Sequence, residues 1–283
     1  MRVLLTGHRG QLGRALVRRL GSDVTGLDLP EHDITDPASV QAAFDAARPE
    51  VVIHAAALTH VDYCAEHPAE ALRINAGGTQ NVALACLARD VPLLYVSTNE
   101  VFDGQASAPY QEYDHPRPVN PYGRSKLAGE QIVRQHLTRF YVARTAWLYA
   151  PDGTNFLHKI VARAREGGAL RVVTDEVGSP TYADDLADAI LRLVETGRYG
   201  TYHLVNEGVC SRYEFAQEAL RAAGLGETPI EPITGDAFER PSTPPPYSPL
   251  ANTLGALAGV RLRPWQEAVA DFVESHLLGE AAS

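Results

Sequence analysis

The tightest constraint on this chain's fold lies near its start, where an apolar strand, Arg2 to Thr6, runs into Gly7, Gly10 and Gly13. A helix marked by Leu12, Leu16 and Leu20 begins at once. Glycines at that spacing let the backbone turn tightly and approach a ligand closely, while the N–H groups and positive dipole end of the helix face an anion. In this context the pattern predicts a pyrophosphate cradle opening a parallel α/β unit. Asp28 closes the next strand, Val24 to Asp28, where a carboxylate accepts hydrogen bonds from adenosine ribose hydroxyls. Asp28 would repel a 2′-phosphate and Arg9, inside the loop, could neutralise one, so NADH and NADPH both stand as cofactors.

The next strands fall at Val51 to His54, Leu93 to Ser97 and Tyr141 to Arg144. Helices carry Val40 and Phe44, and then an apolar face of Val82, Leu84 and Leu87 within Asn75 to Ala88. This alternation predicts a Rossmann-type doubly wound parallel sheet with helices on both faces. Small side chains at Ala55-Ala56-Ala57 fit either a backbone approach to the adenine half of a dinucleotide or simple close packing. Beyond Trp147 the rhythm loosens into a helix at Phe156 to Arg165, a strand at Leu170 to Thr174, a helix at Ala183 to Val194 and a strand at Thr201 to Val205. The expected division is a dinucleotide-binding domain over 1–145, joined by about 181–210, and a smaller interleaved C-terminal substrate-binding part over 146–180 and 211–283. Five prolines between Arg240 and Leu250 exclude an inner strand or helix, and predict a loop across the substrate end before a closing helix at Pro264 to Leu278.

A formal net charge of -10 argues against a general nucleic-acid surface, so an anionic ligand must be met by a local site. No apolar run approaches the roughly 20 residues of a membrane span, and a cytoplasmic protein is expected. Cys64, Cys86 and Cys210 are odd in number and lack metal spacing, which predicts buried free thiols. His54, His60, His67, His115 and His203 are scattered, and no metal is assigned.

Of 25 basic residues only Lys126 and Lys159 are lysines. Lys126 completes Tyr122-x-x-x-Lys126, a spacing that puts both side chains on one helical face. With Asn120 as cap and Pro121 as first helical residue, Tyr122 sits in the first turn, where the dipole and the Lys126 cation are expected to lower its pKa from about 10. The hydroxyls of Ser97-Thr98 lie at the carboxyl end of a central strand, where open α/β sheets bind ligands.

These residues resemble the extended short-chain dehydrogenases over nearly the whole chain, and within them the dTDP-4-dehydrorhamnose reductases. The resemblance is carried by Gly7 to Gly13 with its Gly10-Gln11-Leu12-Gly13 ending, Asp28, Asp33-Ile34, Ala55 to Thr59 followed by Val61-Asp62, Ser97-Thr98 with Val101-Phe102, and Tyr122 to Glu130. It extends through Arg144-Thr145-Ala146-Trp147-Leu148-Tyr149 and Tyr202-His203-Leu204. It implies Tyr122, Lys126 and Thr98 as catalytic residues. Gly7, Gly10, Gln11, Leu12, Gly13, Asp28, Asp33, Ile34, Ala57, Leu58, Thr59 and Val96, with Tyr122 and Lys126, would bind the cofactor, and Thr98, Asn99 and Trp147 the sugar. The implied reaction is NAD(P)H-dependent reduction of the 4-keto group of a dTDP-4-dehydro-6-deoxyhexose, in a chain that could form a homodimer. A nucleotide-sugar epimerase or dehydratase, or a regulatory subunit on the same fold, is the alternative. Three departures bear on this. Glu100 replaces an aromatic of the family, the family's C-terminal Arg-Pro-x-x-Ser-x-Leu is altered to Arg240-Pro241 and a later Tyr247-Ser248-Pro249-Leu250, and Ala15 stands where some members carry a metal-holding carboxylate.

Overall fold

The protein, seen here as a computed structural model, is described over residues 1–278. The first half alternates β1 (Val3–Thr6), α1 (Gln11–Leu20), β2 (Val24–Leu27), α2 (Pro37–Ala47), β3 (Val51–His54), α3 (Val61–Glu66), α4 (Pro68–Leu72), α5 (Thr79–Arg89), β4 (Leu93–Thr98), α6 (Pro121–His136) and β5 (Phe140–Thr145). The second half runs β6 (Leu148–Tyr149), α7 (Phe156–Arg165), β7 (Leu170–Val173), β8 (Val177–Gly178), β9 (Thr181–Tyr182), α8 (Ala183–Glu195), β10 (Gly200–His203), β11 (Cys210–Ser211), α9 (Arg212–Ala222), β12 (Ile230–Ile233), α10 (Thr253–Leu257) and α11 (Trp265–Phe272).

Six parallel strands form the main sheet in the order β10-β5-β4-β3-β1-β2. Its strands read as continuous apolar runs because both faces are covered. On one face Leu12, Ala15 and Leu16 of α1 meet Leu186, Ile190 and Leu193 of α8; on the other lie Phe44, Val82, Cys86 and Val133 of α2, α5 and α6. Ala15 is therefore a packing residue between helices. The chain leaves β1 toward one edge and returns on its other side at β3, so a crevice opens beyond the carboxyl ends of these strands.

The expected apolar face of α5 needs correction. Val82 is buried, but Leu84 and Leu87 are 40% and 53% exposed, and Ala83, Ala85 and Cys86 face inward instead. At about 100° per residue, Leu84 and Leu87 fall on the side away from Val82. A π-helical segment, Arg73–Gly78, also precedes α5 where a regular helix was expected. The three cysteines are free and buried, and His54 is a packing residue held between Thr6 Oγ1 at 2.6 Å and Thr79 Oγ1 at 3.0 Å. Among the described residues no helix is long and apolar enough to cross a membrane.

One buried ion pair fixes α6 to the sheet. Glu130 accepts two 2.8 Å hydrogen bonds from Arg144 of β5, one of 2.7 Å from Ser97 of β4 and one of 3.0 Å from Arg134. Burial alone would raise the Glu130 pKa, yet these partners hold it below the usual carboxylate range. Arg144→Met would leave this carboxylate buried and short of its main partner. Chemical denaturation should show a loss of about 3–5 kcal/mol; a loss below about 1 kcal/mol would mean the pair is dispensable.

Candidate active site

A cleft of about 850 Å³ gathers all the residues singled out above: Gly7, Gly10, Gln11, Leu12, Gly13, Asp28, Asp33, Ile34, Ala57, Leu58, Thr59, Val96, Thr98, Asn99, Tyr122, Lys126 and Trp147. Its two ends differ in chemistry.

At the glycine end the backbone makes a cradle that side chains would fill. Gly7 has φ +73°, and a Cβ there would lie 2.6 Å from the Ala56 nitrogen; a Cβ on Gly13 would overlap the Gly7 carbonyl oxygen. The Gly10 cap gives α1 no side-chain acceptor, and Gln11 Oε1 is buried without a hydrogen-bond partner. An uncapped helix start, a glycine cradle and an unmet polar atom fit the pyrophosphate of a dinucleotide. Asp28 marks the end of this half, its carboxylate accepting from the Arg9 and Leu29 N–H groups at 3.0 and 2.9 Å. The turn after β2 brings Glu31 to 2.8 Å from the exposed Arg9 guanidinium, which also donates to the Leu29 carbonyl; an exposed pair of this kind is weak, so it leaves Arg9 available to a 2′-phosphate.

At the other end α6 presents Tyr122 and Lys126. Asn120 caps it as expected, its Oδ1 accepting from Gly123 N at 2.8 Å, with Pro121 as first residue. The helix is seated so closely on the turn Asn99–Val101 that a Cβ on Gly123 would overlap the Glu100 carbonyl oxygen. Asn75, from the π-helical segment, locks the arrangement by donating to Ser125 Oγ at 2.8 Å and to the Leu58 carbonyl at 3.0 Å.

The expected electrostatics of Tyr122 are overturned. Burial pushes its phenol up from the ordinary value, the Glu100 carboxylate adds to the rise, and a hydrogen bond with Thr98 opposes it. The Lys126 ammonium is turned toward the Tyr95 ring, 4.2 Å from its centroid. Burial also lowers Lys126 to about 7 against the pull of Glu130. The phenol therefore stays protonated through neutral pH, as a proton donor must.

Trp147 walls this end of the cleft, and its φ of +43° is a left-handed position rare for a bulky residue and worth about 1–3 kcal/mol of strain. Arg212 of α9 lies 3.7 Å over its ring, and burial lowers the guanidinium to about 10 despite nearby Glu176. Sequence reasoning missed Arg212 as a site residue, because one Arg among so many carries no spacing signal. It noticed Glu100 only as a departure from pattern. The Ser211–Glu214 capping box that fixes the start of α9 is visible in the sequence, but not that α9 reaches this cleft.

A glycine cradle at the end of β1 and a Tyr-Lys helix beside a strand-end threonine define an oxidoreductase of the extended short-chain dehydrogenase type. The chain belongs to the family described as RmlD substrate binding domain, whose model matches residues 1–277. It is 40% identical over 279 residues to a dTDP-4-dehydrorhamnose reductase of Mycolicibacterium smegmatis, covering 96% of this chain and 85% of that one. It is 39% identical to a probable dTDP-4,6-dihydroxy-2-methyloxan-3-one 4-ketoreductase of Streptomyces antibioticus, covering 99% and 97%. A solved dTDP-4-dehydrorhamnose reductase of Bacillus anthracis in complex with NADP superposes with a TM-score of 0.93 at 36% identity, covering 97% and 99%.

The lowered Lys126 gives a test with NADH, which has no titrating 2′-phosphate. Lys126 is charged below about pH 7 and loses that charge above it, so NADH affinity should weaken by up to about tenfold per unit as pH rises from about 6 to 8. Calorimetry on Lys126→Met should give a flatter profile; an unchanged slope would remove Lys126 from the cofactor site.

Proposed function

We propose that this chain reduces the 4-keto group of a dTDP-4-dehydro-6-deoxyhexose with NADPH or NADH, as in the conversion of dTDP-4-dehydrorhamnose to dTDP-L-rhamnose. The observation that carries this reading is a buried Tyr122, Lys126 and Thr98 in the same cleft as the glycine cradle and the Trp147 wall. Names and chemistry of the relatives agree with it, and the NADP complex of a 36% identical structure supports a cofactor of that class. Residues 1–145 with about 181–210 are assigned to the dinucleotide, and 146–180 with 211–283 to the sugar. A cytoplasmic homodimer is the proposed setting; the exposed Leu84 and Leu87 offer apolar surface for the pairing, and the buried free thiols suit a reducing compartment.

A reduced nicotinamide dinucleotide, held by the glycine cradle and Lys126, would supply the hydride for the carbonyl carbon. Tyr122 donates its phenolic proton to the carbonyl oxygen, so the ketone gains one hydride and one proton. Thr98 donates a hydrogen bond to the same oxygen, and Lys126 holds the nicotinamide ribose and returns charge balance beside the phenolate. Removing a positioned acid costs ~10²- to 10⁴-fold, so Tyr122→Phe should lose that much in kcat with cofactor affinity little changed. Thr98→Val should be milder. Near-full activity in Tyr122→Phe, followed by loss of nicotinamide absorbance, would contradict the mechanism.

A further inference from the structure

We propose that Glu100 selects the sugar, its carboxylate accepting a hydrogen bond from the ring hydroxyl next to the reacting carbonyl, so that the cleft prefers hydroxylated over deoxygenated hexoses. This rests on the function proposed above and names the sugar class within it. Relatives of nearly equal identity carry names with different keto sugars, so overall similarity does not fix the choice.

Glu100 follows Thr98 by two residues, lines the cleft and belongs to the same rigid unit as Tyr122, because the first turn of α6 sits on its backbone. One carboxylate oxygen, Oε2, accepts from Asn120 Nδ2 at 2.6 Å. Asn120 is otherwise committed, its amide donating to the Thr243 carbonyl at 3.1 Å and its oxygen capping α6, so it fixes the carboxylate in place. Among the described residues nothing donates to the other oxygen, Oε1. The nearest cations, Arg212 and Arg240, act on it only through space, their direct ion pairs going to Glu176. Half-buried Glu100 thus keeps one carboxylate oxygen open to the cleft, where a ligand hydroxyl is the donor that would engage it. In a 6-deoxyhexose the only ring hydroxyl adjacent to C4 is on C3. With the C4 oxygen held by Tyr122 and Thr98, that hydroxyl is on the adjacent carbon, within the cleft that Glu100 lines.

The test compares dTDP-4-keto-6-deoxyglucose with its 3-deoxy analogue for turnover, and dTDP-L-rhamnose with its 3-deoxy analogue for binding by calorimetry. The wild type should prefer the hydroxylated partner by about 10- to 100-fold in kcat/KM and in Kd. Glu100→Ala should lose most of that preference by weakening only the hydroxylated compound. Glu100→Gln, which keeps the shape and one acceptor oxygen, should lie between, and decides the matter if the Ala variant does not fold. An unchanged preference in the variants, or an equal loss on both sugars, would overturn the role of Glu100 while leaving the reductase reading intact. No turnover of either keto sugar by the wild type would overturn the reductase reading, with the binding ratio still deciding on Glu100. Failure to bind any of these sugars would overturn both.

Discussion

The carboxylate of Glu130 is the point on which the site's geometry hangs. It ties α6, which carries Tyr122 and Lys126, to two paired strands at once: β4, through Ser97 next to Thr98, and β5, through Arg144. Replacing such a buried pair with apolar side chains would often be neutral for stability. Its value here is positional, since a helix that merely packed by apolar contact could slide along the sheet, whereas a forked guanidinium accepts one orientation. Tyr95 reinforces it from the same strand, its hydroxyl donating to the Lys126 carbonyl at 3.2 Å. The distance between phenol and threonine is therefore set by groups behind the cleft, out of reach of the substrate.

Burial moves the pKa values of the two working side chains in opposite directions, and both toward the uncharged form. It keeps the Tyr122 phenol neutral and moves Lys126 toward neutrality as well, so the pair itself contributes little charge to the cleft. Such a site suits a reaction whose charge arrives with the ligands. A dinucleotide and a nucleotide sugar both bring phosphates, and developing negative charge on the sugar oxygen would be met by a proton donor already in place.

How much of this could be read from residues alone follows from the range of each interaction. Gly7 to Gly13, Asp28 and Tyr122-x-x-x-Lys126 are local patterns, and the sheet that brings their strands side by side follows from the alternation of strand and helix. The cap at Asn120 and Pro121 was equally legible. What escaped depends on distance or depth. Arg212 reaches Trp147 across 65 positions of chain, and Asn75 acts through a π-helical segment that no periodicity announces. The outward turn of Leu84 and Leu87 shows that apolar spacing read by eye can pick the wrong face of a helix. The direction of the Tyr122 shift was missed because a sequence shows the neighbouring charge but not the loss of water.

The central claim is net hydride transfer from the cofactor to C4 of the sugar, and it is most directly tested by incubating the protein with a dTDP-4-keto-6-deoxyhexose and nicotinamide deuterated at C4, then locating the label by NMR. The account predicts stoichiometric oxidation of the cofactor and deuterium at C4 of the sugar product. A product formed without cofactor consumption and without deuterium at C4, as an epimerase or dehydratase that recycles its cofactor would give, would contradict it.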